Sequence, residues 1–208
     1  MSQEELREQN KQLVVEKALE CFLEFGIEKT KVSEVARCAG LTERSVFRYF
    51  KKKTDLVLAA SYLYWNRVIE HIENQLPPDD GKRTGIDDVA QLLVCYTNLF
   101  LEDPKGIRFT LDAELVLDNA GKNHEIKNRP PEPYESSNGP VARAIRKGLA
   151  DGSISSEVPV KELYYNSYDA ILGLMQRLSI GGTPSALELD YKHRMSSICT
   201  MFVDAFRG

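Results

Sequence analysis

The stretch AGLTERSVFRYFKKKTDL, residues 39–56, brings together Gly40, the hydroxyls of Thr42 and Ser45, Arg44 and Arg48, three consecutive lysines and the rings of Phe47, Tyr49 and Phe50. Gly40 suits the end of one helix. Thr42 suits the start of the next, because its side-chain oxygen accepts an N–H that the first helical turn leaves unpaired. The spacing predicts a short helix over 43–50, with Val46 and Phe50 turned inward and Glu43, Arg44, Phe47 and Arg48 turned outward. Lys51 to Lys53 follow at its end, where cations meet the negative pole of the helix dipole.

Upstream, Leu13, Val14, Lys17, Ala18, Cys21, Phe22 and Phe25 recur on one stripe of an amphipathic helix over about residues 4–25, which Gly26 ends. After Thr30 and Val32, Ser33 is the expected N-cap of a second helix, SEVARCAG, with Val35 and Ala36 facing in and Leu41 plugging the turn. Two short helices joined by a tight glycine turn, the second one basic and exposed, form a helix-turn-helix arrangement. A second helix of this size fits the major groove of DNA and presents its N-terminal residues to base edges.

Charge supports that reading once it is resolved along the chain. The formal charge of −4 over 208 residues is unevenly placed: residues 1–28 sum to −4, residues 29–53 to +6 and residues 54–208 to −6. Phosphate binding follows the local charge, since each phosphate neutralised by Lys or Arg releases condensed counterions. A charge run alone reads first as a solvated helix face. The interleaved hydroxyls and aromatics favour nucleic acid.

The run beginning ALECFLEFG and ending KKKTDLVLAA, residues 18–60, resembles the DNA-binding region of tetracycline-repressor-like (TetR family) transcriptional regulators. The matching features are Ala18 and Phe22 ahead of Phe25 and Gly26, Thr30, Val32, the pair Val35 and Ala36, Ala39 to Leu41, and SVFRYF leading to Lys53 and Leu56. The resemblance implies that Thr42, Glu43, Arg44, Ser45 and Phe47 approach the major groove, and that Thr30, Ser33, Tyr49 and Lys53 hold the phosphate backbone. Arg48, on the outer side of the same helix, completes the candidate set. Arg44 can donate two parallel bonds to guanine O6 and N7, a pairing that discriminates by about 1–3 kcal/mol. Phe47 stands where the family often has tyrosine, so contact with a thymine methyl replaces a hydroxyl contact. Glu43 either accepts from cytosine N4 or pairs with a cation such as Lys29 or Arg44.

The remainder reads as helices over 54–75, 86–102, a segment after Pro104, PVARAIRKGLADGSI stopped at Gly152, about 159–180, and 185–206, with a loop over 120–139. No strand pattern occurs. The expectation is an all-α chain: an N-terminal three-helix helix-turn-helix DNA-binding domain, residues 1–53, and a larger helical effector-binding and dimerisation domain, residues 54–208. By the resemblance, the last two helices pair with a second copy as a four-helix bundle. Tyr164, Tyr168, Ile171, Leu172, Met175 and Leu178, with Met195, Ile198, Cys199, Phe202 and Phe206, supply apolar surface for this, or for a core pair within one chain. The middle helices would surround a pocket for an unknown small-molecule effector. Trp65, Tyr96, Phe100, Phe109 and Tyr168 are its candidate lining and Glu114 its candidate carboxylate, with plain core packing as the other reading.

Nothing in the chain has the spacing of a catalytic or metal site. His71, His124 and His193 are isolated, and phosphate-loop, dinucleotide and nucleophile-elbow motifs are missing. No enzyme activity, cofactor or metal is expected. The four cysteines, Cys21, Cys38, Cys95 and Cys199, are scattered and read as reduced packing residues or as a redox sensor. The polar N-terminal segment and the lack of a long apolar run predict a cytoplasmic protein without membrane contact. The function expected is a homodimeric, ligand-responsive repressor on a palindromic operator. The alternative is an architectural or protein-recruiting DNA binder without an effector.

Overall fold

A computed structural model describes residues 2–78, 81–122, 133–181 and 189–208. Among these residues the chain forms nine helices and no strand: α1 (Gln3–Phe25), α2 (Val32–Cys38), α3 (Glu43–Tyr49), α4 (Lys53–Gln75), α5 (Gly85–Glu102), α6 (Pro104–Asn119), α7 (Pro140–Asp151), α8 (Val160–Ser179) and α9 (Tyr191–Arg207). The last helix begins later than the expected 185, and residues 182–188 lie outside the described set. Of the expected loop over 120–139, residues 123–132 also lie outside it.

The helices gather into two compact units. The first holds residues up to Arg67 together with α6 from Arg108 onward; the second holds Val68 to Ile107 and the chain from α7 to its end. Helices α4 and α6 therefore contribute residues to both.

In the first unit, α1 starts at a reciprocal cap: Ser2 Oγ accepts from Glu5 N–H at 3.1 Å, and Glu5 Oε2 accepts from Ser2 N–H at 2.7 Å. Such boxes satisfy donors that the first turn leaves unpaired. Its buried face is Val14, Ala18, Leu19, Cys21 and Phe22. Leu19 joins the core although the predicted stripe omitted it, and Phe25, predicted inside, is 60% exposed. At Gly26 the backbone reaches φ 85°, which turns the chain out of the helix and leaves Phe25 on the outside. Phe22 stacks on Phe109 with ring centres 6.2 Å apart, and Tyr64 meets Phe109 edge-on at 5.8 Å, so α1, α4 and α6 share one aromatic cluster. An ion pair of 2.7 Å joins Asp55, at the start of α4, to Lys122 after α6.

In the second unit, α5 crosses α7 where neither helix carries a side chain: Gly85 and Gly148 face each other. The N-terminus of α5 is held from outside itself. Gly85 N–H donates to Asp151 Oδ2 at 2.7 Å and Ile86 N–H to Ser153 Oγ at 3.1 Å, while Lys147 pairs with Asp88 at 2.7 Å. Helices α8 and α9 complete the core through Leu163, Tyr164, Ile171 and Met175 and through Met195, Cys199, Val203 and Phe206. Much of the apolar surface predicted on these two helices is thus consumed within this unit. Leu172, Ile198 and Phe202 stay half-buried and Met201 is 68% exposed.

Candidate nucleic-acid interface

Helices α2 and α3 are seven residues each, too short to persist alone, so their burial and caps decide their geometry. Val35 and Ala36 of α2 and Val46 and Phe50 of the α3 segment are buried in the first unit. The turn between them is closed by main-chain bonds: Ala39 N–H to Val35 O at 3.0 Å, and Leu41 N–H to Ala36 O at 2.9 Å. Gly40 adopts φ 67°, a left-handed conformation that side chains disfavour and that the reversal requires.

Helix α2 does not start where the sequence suggested. Lys31 is its N-cap residue, with the Lys31 N–H donating to Glu34 Oε2 at 2.8 Å. Ser33 sits inside the first turn, exposed. Glu34, three residues past Lys31, satisfies the free amide, and that makes a hydroxyl cap unnecessary. Helix α3 begins as predicted at Thr42, whose Oγ1 accepts from Ser45 N–H at 3.2 Å and lies 2.9 Å from the Ser45 hydroxyl. A cap of this kind contributes about 1 kcal/mol.

The outward face of α3 carries Glu43, Arg44, Phe47 and Arg48, all exposed, with Phe47 at 42%. The Arg48 guanidinium lies over the Tyr49 ring, 5.5 Å from its centre, a cation–π contact that orients both groups. Glu43 forms no ion pair with Lys29 or Arg44 among the described residues; its carboxylate stands in the first turn of α3, where the helix dipole favours negative charge. Lys53 is half-buried and donates from Nζ to the Glu28 carbonyl at 3.3 Å, which ties the start of α4 to the loop after α1. Burial lowers the Lys53 pKa from its ordinary value, opposed by the charges of Glu28 and Glu34. A phosphate oxygen beside it would favour the protonated form in the same way.

Thr30 corrects the expected phosphate set. Its side chain is 1% exposed, and its hydroxyl lies 2.8 Å from the Gly26 carbonyl oxygen and 3.2 Å from that of Cys21. The hydroxyl braces the end of α1 and does not face outward. Lys29, Lys31, Arg37, Lys51 and Lys52 are exposed around the same two helices. The basic segment read from sequence is therefore a surface and not a buried network.

The expected effector set does not gather in one unit. Trp65, Phe109 and Glu114 belong to the first, where Trp65 and Phe109 are buried and each packs against Tyr64. Tyr96, Phe100 and Tyr168 belong to the second. Tyr96 meets Tyr168 edge-on with ring centres 6.1 Å apart, and Phe100 meets Tyr191 at 5.9 Å. Burial pushes the Tyr96 phenol well above its ordinary pKa, so it stays protonated. Tyr96 and Tyr168 line a cavity of about 30 Å³ with Ile69, Val141 and Tyr164. A different recess, which no periodicity announced, opens in the first unit between α1 and α4: about 490 Å³, lined by Lys11, Val15, Tyr62, Leu63 and Asn66 among others.

Also unannounced is the approach of Cys21 on α1 to Cys38 at the end of α2, sulfur to sulfur 4.0 Å. The two lie 17 positions apart on different helices, and only the inward stripe of α1 hinted at where Cys21 points. Among the described residues no group of three or more His, Cys, Asp or Glu side chains could hold a metal ion, and no helix is long and apolar enough to cross a membrane.

Known proteins answer to this geometry. Residues 14–60 match the family described as bacterial regulatory proteins, tetR family. Over 168 residues the chain is 22% identical to YvdT of Bacillus subtilis (strain 168), described as an uncharacterized HTH-type transcriptional regulator, covering 81% of each chain. A TetR family transcription regulator from Marinobacter aquaeolei VT8 superposes with a TM-score of 0.59 at 19% identity, covering 99% of this chain and 98% of that one. Thermus thermophilus FadR, a TetR family transcriptional repressor solved in complex with lauroyl-CoA, superposes with a TM-score of 0.67 at 12% identity, covering 94% of both. At such identities the two structures speak for the fold alone.

Proposed function

We propose that this chain, whose residues 14–60 match the tetR family of bacterial regulatory proteins, is a DNA-binding transcriptional regulator with a specific mode of action: a cytoplasmic, ligand-responsive repressor that binds a palindromic operator as a homodimer. The observation that carries it is the exposed face of α3, set on a capped and buried helix pair inside the one segment of the chain with a charge of +6. Thr42, Glu43, Arg44, Ser45 and Phe47 would read base edges. Ser33, Arg48, Tyr49 and Lys53 would hold phosphates, which fix register without carrying sequence information.

Residues 1–53 act as the DNA-binding domain and residues 54–208 as the effector-binding and dimerisation domain. Dimerisation uses the part of α8 and α9 that the second unit leaves uncovered, Leu172, Ile198, Met201 and Phe202. A dimer matches half-sites about 34–36 Å apart, which a single helix pair cannot do. The lauroyl-CoA complex of the Thermus thermophilus protein supports a ligand in this fold. An effector acts by preferring a conformation whose recognition helices are wrongly spaced, and α4 and α6, which run through both units, transmit that preference. The chain works by binding and carries out no catalysis.

The test is a pair of variants on a duplex recovered by selection. Arg44→Ala should relax preference at one base pair, and Lys53→Ala should weaken all sequences alike while reducing the salt slope by about one. Unchanged affinity in both would refute the assignment of α3 and Lys53. A second reading, a DNA binder that recruits a protein and takes no metabolite, draws support from the small volume of the cavity at Tyr96 and Tyr168, about 30 Å³. A metabolite that releases the duplex would exclude it.

A further inference from the structure

Cys21 and Cys38 differ from the other two cysteines in facing each other. Cys95 and Cys199 are buried in the second unit; Cys21 is buried at 5% exposure, but its sulfur lies 4.0 Å from that of Cys38, which is exposed at the last residue of α2. A disulfide needs the sulfurs at about 2.05 Å, so a rotation of the exposed side chain with a small shift of the helix end would close the gap.

We propose that Cys21 and Cys38 form a reversible disulfide on exposure to a hydroperoxide, and that this bond shifts the turn before α3 and weakens DNA binding. The exposed Cys38 thiolate attacks the outer oxygen of the hydroperoxide; the S–O bond forms, the O–O bond breaks, and the departing alkoxide takes a proton to leave as alcohol, or as water from hydrogen peroxide. Sulfur loses two electrons and the peroxide gains them. The Cys21 sulfur then attacks the sulfenic acid. The S–S bond forms, the S–O bond breaks, and the hydroxide leaves as water with the Cys21 proton. Burial holds the Cys21 thiol up near a pKa of about 11, which keeps it from reacting first and reserves it as the resolving thiol.

The consequence follows from connectivity. Cys38 is followed directly by Ala39, Gly40 and Leu41, the turn whose main-chain bonds to Val35 and Ala36 set where Thr42 begins α3. Drawing the end of α2 toward α1 moves that turn, and base-edge hydrogen bonds of normal length leave little room for it. The bond itself stands apart from the proposed function; its effect on DNA rests on that reading.

The experiment treats the full-length chain with hydrogen peroxide, maps peptides without reduction, titrates free thiols, and measures binding to a duplex selected from a random library. The expected result is a Cys21–Cys38 linked peptide, loss of two thiols per chain, and affinity at least about tenfold weaker, all reversed by dithiothreitol. Cys38→Ser, a change at an exposed site, should bind the duplex as the parent does and ignore peroxide. Oxidation of Cys38 to the sulfinic acid with no linked peptide would overturn the site. A linked peptide with unchanged affinity would overturn its effect on DNA. If reduced protein binds no selected duplex, the DNA-binding reading fails, and the peptide map still decides the bond.

Discussion

Replacing Gly85 by alanine should destabilise the second unit strongly, because a Cβ there has nowhere to go. It would lie 1.9 Å from Gly148 N, 2.2 Å from Gly148 Cα and 2.6 Å from Ala144 O, all main-chain atoms of α7. Carbon contacts settle at about 3.5–4.0 Å, so α5 and α7 must part by something on the order of 1.5 Å. Overpacking of this kind costs about 1–3 kcal/mol. Parting the helices also stretches the Gly85 amide bond to the Asp151 carboxylate, now 2.7 Å, and the Ile86 amide bond to Ser153, now 3.1 Å. Alanine returns up to about 1 kcal/mol of helix propensity. The net loss is about 1–3 kcal/mol, which for a chain of this size lowers Tm by roughly 3–12 °C. Gly148→Ala is the informative contrast. Its Cβ would meet Ile154 Cδ1 at 2.5 Å and Cγ1 at 2.6 Å, side-chain atoms able to turn away, so its cost is smaller and Ile154→Val in the same chain should recover part of it. The assay is thermal unfolding followed by circular dichroism. A Gly85→Ala protein melting within about 2 °C of the parent would refute the close crossing of α5 and α7.

Two further outcomes can be checked on the same protein. Thr42→Ala removes the oxygen that caps α3 at 3.2 Å and should lower stability by about 1 kcal/mol in urea unfolding, and it should weaken duplex binding further because the frayed turn carries Glu43 and Arg44; a variant as stable as the parent would show that the cap carries no load. Asp55 has its pKa held below the ordinary carboxylate value, first by its bond to the Lys122 ammonium and also by the Lys52 amide. Its contribution is complete above the unfolded value of about 3.9 and is lost as pH falls through the lower folded value. From about pH 5 down to pH 3 the parent should therefore lose Tm more steeply than Asp55→Asn, and parallel profiles would contradict the pairing.

How much of this the sequence disclosed differs by region, for physical reasons. The helix-turn-helix was legible because its signals are local: Thr42 caps the helix that follows it, Gly40 supplies the turn, and Val35, Ala36 and Val46 repeat on helical spacing. Phe25 was misplaced because a stripe drawn on an ideal helix ignores how the chain leaves its end at Gly26, and Leu19 because the stripe was drawn narrower than the buried face. Ser33 was misread because Glu34 could cap from the opposite side of the same sequence. Thr30 was assigned to phosphate on resemblance, and its burial depends on packing between α1 and the next loop. The candidate effector residues divide between the two units, Trp65, Phe109 and Glu114 in the first and Tyr96, Phe100 and Tyr168 in the second. Trp65 falls in the first unit because α4 passes from one unit to the other only after Arg67, and no local pattern marks that place. The meeting of Gly85 with Gly148 and of Cys21 with Cys38 likewise lies between helices.

The measurement that bears most directly on the account is selection of bound sequences from a random duplex library with the purified chain, followed by affinity for the winner at two salt concentrations. The account predicts an enriched palindrome bound by a dimer, with affinity falling steeply as salt rises. No enriched sequence, or weak binding indifferent to salt, would contradict the assignment of α3 as the reading helix.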